Sequence, residues 1–222
     1  MTSPYINTKL YTTISLRPDQ LDNKIYLNLK KNLEDKIVSK CYKDYGYIVD
    51  IFQILNYKDG IIEAENLAAS VTFDVEFSCR LCRPLRKRQI ICQVNRVNKV
   101  LVTMENGPIL VIITSDRIND KIFFSDNNNV LRYRKNDTSY ILKPKEFVKV
   151  TILSIIFNHG DVKIKAMGFL DDIVEEDEIE NFYKDLYRKD KDMIDYKKYI
   201  EKDNLDKIDD MDSVDTKDEM KD

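Results

Sequence analysis

Residues 1–77 combine one helical pattern with several strand patterns. Apolar residues that recur every four positions predict an amphipathic helix ended by Tyr45-Gly46: Leu21, Ile25, Leu29, Leu33 and Ile37. Residues 10–16, 47–55 and 71–77 predict strands, because they are rich in β-branched and aromatic side chains or alternate polar with apolar positions. We therefore expect residues 1–77 to form a domain of one helix on a curved antiparallel sheet, which makes the fold class α+β.

The middle of the chain, residues 78–170, has an all-β pattern. Strands are predicted at residues 89–97, 99–104, 109–114, 147–157 and 161–169, with turns at Asn106-Gly107-Pro108 and Asn158-His159-Gly160. A long irregular excursion, including a loop at residues 125–129, precedes the fourth strand. Five short strands match a five-stranded OB barrel, a fold that commonly binds oligonucleotides.

Residues 171–222 are expected to form an acidic extension, with a helix over about residues 174–200 and a disordered tail after it. The apolar side chains at helical spacing are led by Ile179, Phe182, Tyr183, Leu186 and Tyr187. Such a helix has no core of its own, so it should dock on the rest of the chain or on a partner.

The charge of the chain is unevenly distributed. The formal net charge is only −3, but residues 78–170 carry 17 Lys and Arg against 7 Asp and Glu. Residues 171–222 carry 10 against 21, so a basic middle segment precedes an acidic one. The basic segment favours a polyanionic ligand such as nucleic acid, although it would also neutralise the acidic extension.

Two basic runs lie in the middle segment. Arg132-Tyr133-Arg134-Lys135 places an aromatic ring among cations, which suits base stacking and phosphate neutralisation, although a solvated basic loop is the alternative. Arg83-Pro84-Leu85-Arg86-Lys87-Arg88 resembles a nuclear localisation signal in composition, or forms the edge of an anion-binding surface. Because it leads directly into a strand, we expect it to be structured.

Catalytic chemistry is poorly represented in the sequence. One histidine, His159, and five glycines provide no histidine pair and no phosphate-binding loop, so we expect no catalytic residue, no metal and no cofactor. Cys79 and Cys82 have the spacing of a zinc ligand pair, but a second pair is missing and residues three apart in a strand face opposite sides. We expect reduced, buried thiols in an intracellular, soluble protein, since no apolar run approaches the ~18 residues of a membrane span.

Six short segments resemble the stalk subunit of multisubunit DNA-dependent RNA polymerases, the family of the seventh nuclear subunit and the archaeal E subunit. They lie in the family's order at residues 43–51 (KDYGYIVDI), 58–62 (KDGII), 71–77 (VTFDVEF), 82–85 (CRPL), 94–97 (VNRV) and 106–108 (NGP). The resemblance extends from residue 10 to residue 172. It implies an N-terminal tip domain that docks on the polymerase core, followed by an OB-fold RNA-binding domain.

The chain also departs from this family. Lys87 stands where the family has a glycine, and Glu63–Leu67 replaces a glycine-rich stretch. The acidic extension is atypical of cellular members. Thirteen tyrosines and no tryptophan, with abundant Asn and Lys, suggest an AT-rich genome and a version encoded by a large DNA virus.

The resemblance implies binding without catalysis by this chain. The tip domain would dock near the polymerase clamp through Arg17, Pro18, Asp19, Asn23, Lys24, Tyr57, Lys58, Gly60 and Ile61. The OB domain would hold nascent single-stranded RNA at the exit path through Arg86, Lys87, Arg88, Arg96, Lys99, Phe123, Phe124, Arg132, Tyr133, Arg134 and Lys135. The implied partners are the large polymerase subunits and a small helical fourth subunit, which the C-terminal helix would bind or replace.

The implied location is the virion and host cytoplasm for a viral protein, or the nucleus for a cellular one. A free-standing OB-fold factor of translation or RNA decay is the main alternative. A metal-dependent nuclease would need convergent carboxylates, and the spacing of the acidic residues does not predict such a site.

Overall fold

The computed structural model describes residues 3–62, 68–98, 100–126, 130–135, 138–175, 178–180, 182 and 184. These residues all belong to one compact unit. Within them, no helix has the length and apolar character needed to cross a membrane.

The first half of this unit is a curved antiparallel sheet that carries one helix. Its elements are β1 (Tyr5–Leu16), a 3₁₀ turn (Pro18–Gln20), α1 (Ile25–Ile37), β2 (Lys40–Tyr42), β3 (Gly46–Tyr57), β4 (Ile61–Ile62) and β5 (Val71–Cys82). The strand order is β1-β5-β3-β2, and β4 pairs with β5. Alternation along β5 buries Val71, Phe73, Val75 and Phe77, and they share a core with residues of α1.

Helix α1 is shorter than its periodicity predicts. Leu29, Leu33 and Ile37 are buried in the core of the sheet, as expected for every fourth residue. Leu21, however, follows the 3₁₀ turn and is 39% exposed, outside the helix. The helix ends at Ile37 rather than near Tyr45, because Ser39 has a left-handed backbone (φ 61°) and β2 then begins.

The outer edge of β1 is covered by side chains. The backbone carbonyls of Tyr11, Thr13 and Ser15 accept hydrogen bonds from Tyr42 Oη (3.3 Å), Lys36 Nζ (2.7 Å) and Asn32 Nδ2 (3.1 Å). These groups would otherwise be available to another strand. The covered edge therefore disfavours strand addition along this part of β1.

The second half is a closed five-stranded barrel with a small sheet inserted in it. Its strands are β6 (Gln89–Val97), β7 (Leu101–Asn106), β8 (Ile109–Thr114), β9 (Phe123–Ser125), β10 (Leu131–Lys135), β11 (Thr138–Ile141), β12 (Phe147–Ile156) and β13 (Ile164–Ile173). The barrel closes in the order β12-β13-β8-β7-β6, with β13 and β8 parallel. A closed barrel of five strands is compatible with an OB-like fold.

The barrel core is tightly packed where β13 crosses it. A Cβ atom on Gly168 would lie 2.5 Å from Val150 Cγ1 and 3.0 Å from Val111 Cγ1. Any larger residue at this position would therefore force the two facing strands apart. The strand itself begins at Ile164 rather than residue 161, because Asp161 closes a turn by accepting a hydrogen bond from the Asn158 amide (2.9 Å).

The described part of the excursion before β12 contains three short strands, which corrects the prediction of an irregular segment. Strands β9, β10 and β11 form an antiparallel sheet in the order β11-β10-β9. Phe123, Leu131 and Leu142 anchor this sheet in the barrel core. The run Arg132–Lys135 accordingly lies in strand β10, whereas residues 127–129 of the predicted loop lie outside the described residues.

Hydrogen bonds join the curved sheet to the barrel at two places. Tyr5 Oη donates to Asn106 Oδ1 (3.1 Å), and Asn106 Nδ2 donates to the Ile91 carbonyl (2.8 Å). At the turn between β12 and β13, the Gly160 amide donates to the Cys41 carbonyl, and the Cys41 amide donates to the Asp161 carbonyl, both at 2.8 Å. Strand β5 also runs continuously through residues 77 and 78, so the domain boundary there stays a prediction.

Candidate nucleic-acid and docking surfaces

The basic loop Arg86–Arg88 is held against the middle of β12. The Lys87 amide donates to the Ile152 carbonyl (2.7 Å), and the Ile152 amide donates to the Arg88 carbonyl (3.0 Å). All three basic side chains are exposed. The backbone of Lys87 is in the left-handed conformation (φ 60°), which glycine adopts more readily. The loop therefore keeps this conformation although a lysine stands at the position.

The outer face of the small sheet carries an aromatic ring under a cation. The Arg134 guanidinium lies 5.0 Å from the centre of the Phe124 ring, and the Arg134 side chain is exposed. This pair can offer a stacking surface and a positive charge at one place. Lys135 follows Arg134 and is also exposed.

The inner face of the same sheet is occupied by packed aromatic rings. Phe123 is only 1% exposed, which corrects its prediction as a base-stacking residue. Tyr133 packs against Phe123 and stacks on Tyr140 (5.6 Å, 26°), and its burial, followed by Glu146 and Tyr140, raises its pKa. Tyr140 is 48% exposed and was missed, because only the pairing of β10 with β11 brings it to Tyr133.

Arg132 differs from its neighbours in the basic run. Its guanidinium Nη2 pairs with Asp126 Oδ2 at 3.0 Å, and its Nε is buried without a hydrogen-bond partner. A phosphate would therefore have to compete with Asp126 for this guanidinium, and the prediction of Arg132 as an RNA contact stays a prediction. Arg96 is exposed on β6, and Lys99 lies outside the described residues.

The predicted RNA contacts form two groups along the barrel. Arg86–Arg88 lies beside Ile152 in the middle of β12, whereas β11 of the small sheet is linked to Phe147 at the start of β12 by residues 142–146. The five strand residues between Phe147 and Ile152 span about 17 Å. Sequence order alone could not separate the groups, since their spacing depends on how β12 pairs with the loop.

The predicted docking loops meet at one end of the curved sheet. Leu16 of β1 and Ile62 of β4 both pair with Val71, so the segments that carry Arg17–Asp19 and Ile61 flank the start of β5 on its two sides. Ile61 is 66% exposed, and the other predicted docking residues are also exposed: Arg17, Pro18, Asp19, Asn23, Lys24, Tyr57, Lys58 and Gly60.

Two contacts shape this end of the sheet. Lys58 Nζ pairs with Asp74 Oδ2 at 3.5 Å, and both groups are exposed. A Cβ atom on Gly60 would lie 2.3 Å from Val71 Cγ1, so the loop approaches the sheet too closely for a side chain. The glycine therefore sets the position of the loop that carries Ile61.

The start of the acidic extension packs on the barrel. The Val174 amide donates to the Phe147 carbonyl (3.1 Å), and the buried Phe182 ring meets the Phe147 ring edge to face (5.3 Å, 61°). Glu178 Oε2 pairs with Lys149 Nζ at 2.8 Å. Ile179 is half-buried, whereas Tyr183, Leu186 and Tyr187 lie outside the described residues, as does the predicted disordered tail.

The cysteines are buried in two different places. Cys79 lies in the core of the curved sheet and Cys82 in the barrel core, as their spacing along β5 predicts. Burial raises the pKa of Cys79 to about 12, and burial followed by Asp161 raises that of Cys41 to about 11. Among the described residues, no three His, Cys, Asp or Glu side chains are grouped to hold a metal ion.

Sequence comparisons identify similar proteins of one kind. A protein of Acanthamoeba polyphaga mimivirus, assigned as a DNA-directed RNA polymerase subunit, is 31% identical over 183 residues, which are 82% of this chain and 90% of that protein. DNA-directed RNA polymerase II subunit RPB7 of Glycine max is 27% identical over 64% of this chain and 87% of its own length. Subunit rpb7 of Schizosaccharomyces pombe is 23% identical over 78% of this chain and 91% of its own length. No family model matches the chain.

Proposed function

Because the chain belongs to the RPB7-like family of DNA-directed RNA polymerase subunits, we propose that it is the non-catalytic stalk subunit of a viral polymerase. The observation that carries this proposal is the 31% identity to the mimivirus subunit over 82% of the chain. The contribution to transcription is binding, and nucleotidyl transfer belongs to the large subunits. The expected locations are the virion and the host cytoplasm.

The docking end of the curved sheet is the surface proposed to bind the polymerase core near its clamp. Support comes from the pairing of Leu16 and Ile62 with one residue, Val71, which brings both loops together. Exposed Ile61 and Ile62 form the apolar centre of this end, and the segment that follows β1 adds the exposed cations Arg17 and Lys24. Apolar centres with polar rims are typical of protein interfaces.

Affinity purification of the tagged chain from infected cells, followed by mass spectrometry, tests the assignment. We expect both large polymerase subunits in stoichiometric amounts. Ile61→Asp should abolish their recovery, because it places a charge in the apolar centre, whereas Val162→Asp, at an exposed site on the barrel, should retain it. Recovery of the wild-type chain without polymerase subunits would refute the assignment, and unchanged recovery with Ile61→Asp would refute only this docking surface.

The barrel is proposed to bind nascent single-stranded RNA at the exit path. The exposed cations Arg86–Arg88, Arg96 and Arg134, with the half-buried Phe124 ring under Arg134, supply charge and a stacking ring without base-specific hydrogen bonds. Affinity for a labelled single-stranded RNA should therefore fall steeply with salt and depend little on sequence. Affinity that does not change between low and high salt would contradict this mode of binding.

The C-terminal extension is proposed to fold back on this chain at its start rather than offer that segment to a fourth subunit. Phe182 and Glu178 already contact β12, so their side chains are occupied. Phe182→Ala should increase hydrogen exchange of residues 178–184 in the isolated chain. Unchanged exchange would favour a partner as the site of docking.

A further inference from the structure

Two residues on the outer face of β12 have the character of an RNA subsite. Residues alternate between the two faces of β12, and Val148 and Val150 are buried in the barrel core, so Phe147 and Lys149 point outward. Two strand residues on one face lie about 7 Å apart. An aromatic ring and a cation at this spacing can stack one base and neutralise an adjacent phosphate.

The acidic extension covers both residues with groups of matching chemistry. The Phe182 ring lies against Phe147 (5.3 Å between centres), where a base would stack. The Glu178 carboxylate lies 2.8 Å from Lys149 Nζ, where a phosphate oxygen would bind. The extension therefore presents an aromatic ring and an anion to the positions that a nucleotide would use.

We propose that the start of the extension masks an RNA subsite formed by Phe147 and Lys149, and that single-stranded RNA displaces it. This inference rests on the proposed RNA-binding function of the barrel. A masked site lowers the apparent affinity by the fraction of molecules in which the site is open. The extension thus acts as an intramolecular competitor that weakens RNA binding.

The subsite is connected along the chain to the small sheet that carries Phe124 and Arg134. Strand β11 is linked to β12 by residues 142–146, and the Leu142 amide donates to the Leu131 carbonyl (3.0 Å). The Lys145 amide donates to the Val94 carbonyl (2.7 Å), which holds this link against β6. Opening the subsite would expose Phe147 and Lys149 on β12, the strand that also holds the Arg86–Arg88 loop at Ile152.

Fluorescence anisotropy with a labelled oligouridine RNA tests the inference in the full-length chain. The double variant Glu178→Gln with Phe182→Ala should bind about tenfold more tightly than wild type, because base stacking on an aromatic ring is strong enough to give this gain. Adding Lys149→Gln to the double variant should remove most of the gain. Adding Lys165→Gln, an exposed lysine on β13, should preserve it.

The outcomes separate the inference from the proposed function. A double variant that binds no more tightly than an RNA-binding wild type overturns the mask and leaves the barrel as an RNA-binding domain. Loss of RNA binding in both proteins overturns the two together. A gain that survives Lys149→Gln also overturns the inference, because the released site would then not be the one described.

A second measurement needs no substitution and covers the case in which the double variant is unstable. Hydrogen exchange of residues 178–184 in the wild-type chain should increase at saturating RNA, because displaced residues lose their contacts with β12. A purely structural anchor would exchange equally slowly with and without RNA. That result would overturn the inference.

Discussion

The buried contact between Tyr5 and Asn106 provides a strong test of how the curved sheet and the barrel are joined. Asn106 is 3% exposed, and its side-chain amide accepts a hydrogen bond from Tyr5 Oη and donates one to the Ile91 carbonyl. Asn106→Ala removes both of these hydrogen bonds, and removing one partner of a buried hydrogen bond costs about 1–3 kcal/mol. We therefore expect the free energy of unfolding to fall by about 2–6 kcal/mol, a large share of the ~5–15 kcal/mol of a typical protein.

Urea unfolding followed by circular dichroism measures this loss, and a double-mutant cycle assigns it. Tyr5→Phe removes the hydroxyl but keeps the ring, over which Arg80 lies at 5.0 Å. Because the two substitutions break one shared hydrogen bond, the double variant should lose about 1 kcal/mol less than the sum of the single losses. Asn95→Ala, at an exposed site on β6, should change stability by no more than ~0.5 kcal/mol. Additive losses in the cycle would refute the shared bond.

Four further substitutions or conditions have defined expectations. Lys87→Gly should stabilise the chain by about 0.5 kcal/mol in urea unfolding, because glycine adopts the left-handed backbone conformation at this position with less steric strain than lysine. Gly168→Ala should lower the free energy of unfolding by about 1–3 kcal/mol, because its Cβ would crowd Val150. Arg134→Gln should weaken RNA binding and reduce the slope of log affinity against log salt by about 0.7, which anisotropy at several salt concentrations measures. The hydrogen bond from Lys149 holds the pKa of Glu178 below its ordinary value of 4.5. Its contribution to docking of the extension is therefore full above pH 4.5 and is lost as pH falls through the lowered pKa. The protection of residues 178–184, measured as the exchange rate relative to the intrinsic rate at each pH, should fall there.

The strands that were predicted best are those with one face in a core. Residues 89–97 and 109–114 match β6 and β8, because alternation there reflects burial inside the barrel. The predicted start of β7 was early by two residues, since Val100 is apolar but exposed in the preceding turn. Hydrophobicity alone does not distinguish an exposed valine in a turn from a buried one in a strand.

The helix and the small sheet show why other boundaries were missed. Leu21 shares the four-residue spacing of α1, but it lies outside the helix. Asp22 Oδ1 accepts a hydrogen bond from the Lys24 amide (2.9 Å), which forms a turn before the helix begins. In the small sheet, the neighbours Phe123 and Phe124 are chemically alike, and only the alternation of faces along the strand buries the first and leaves the second half-buried. Side-chain chemistry identified both residues as candidates, whereas their exposure depends on the tertiary pairing of the strands.

The positions of the proposed surfaces give β5 a particular role. Its start, Val71, lies between the two docking loops, and its end, Cys82, lies four residues before the basic loop at Arg86. Twelve strand residues span about 40 Å, so one continuous element connects the proposed polymerase-binding end to the barrel. Hydrogen bonds from Tyr5 to Asn106 and between Cys41 and the turn after β12 join the barrel to this same sheet, so the two proposed surfaces belong to one folded unit. On the proposed function, RNA bound at the barrel would lie at a distance from the docking end that β5 sets, and the proposed masked subsite on β12 would change how tightly the RNA is held without changing that distance.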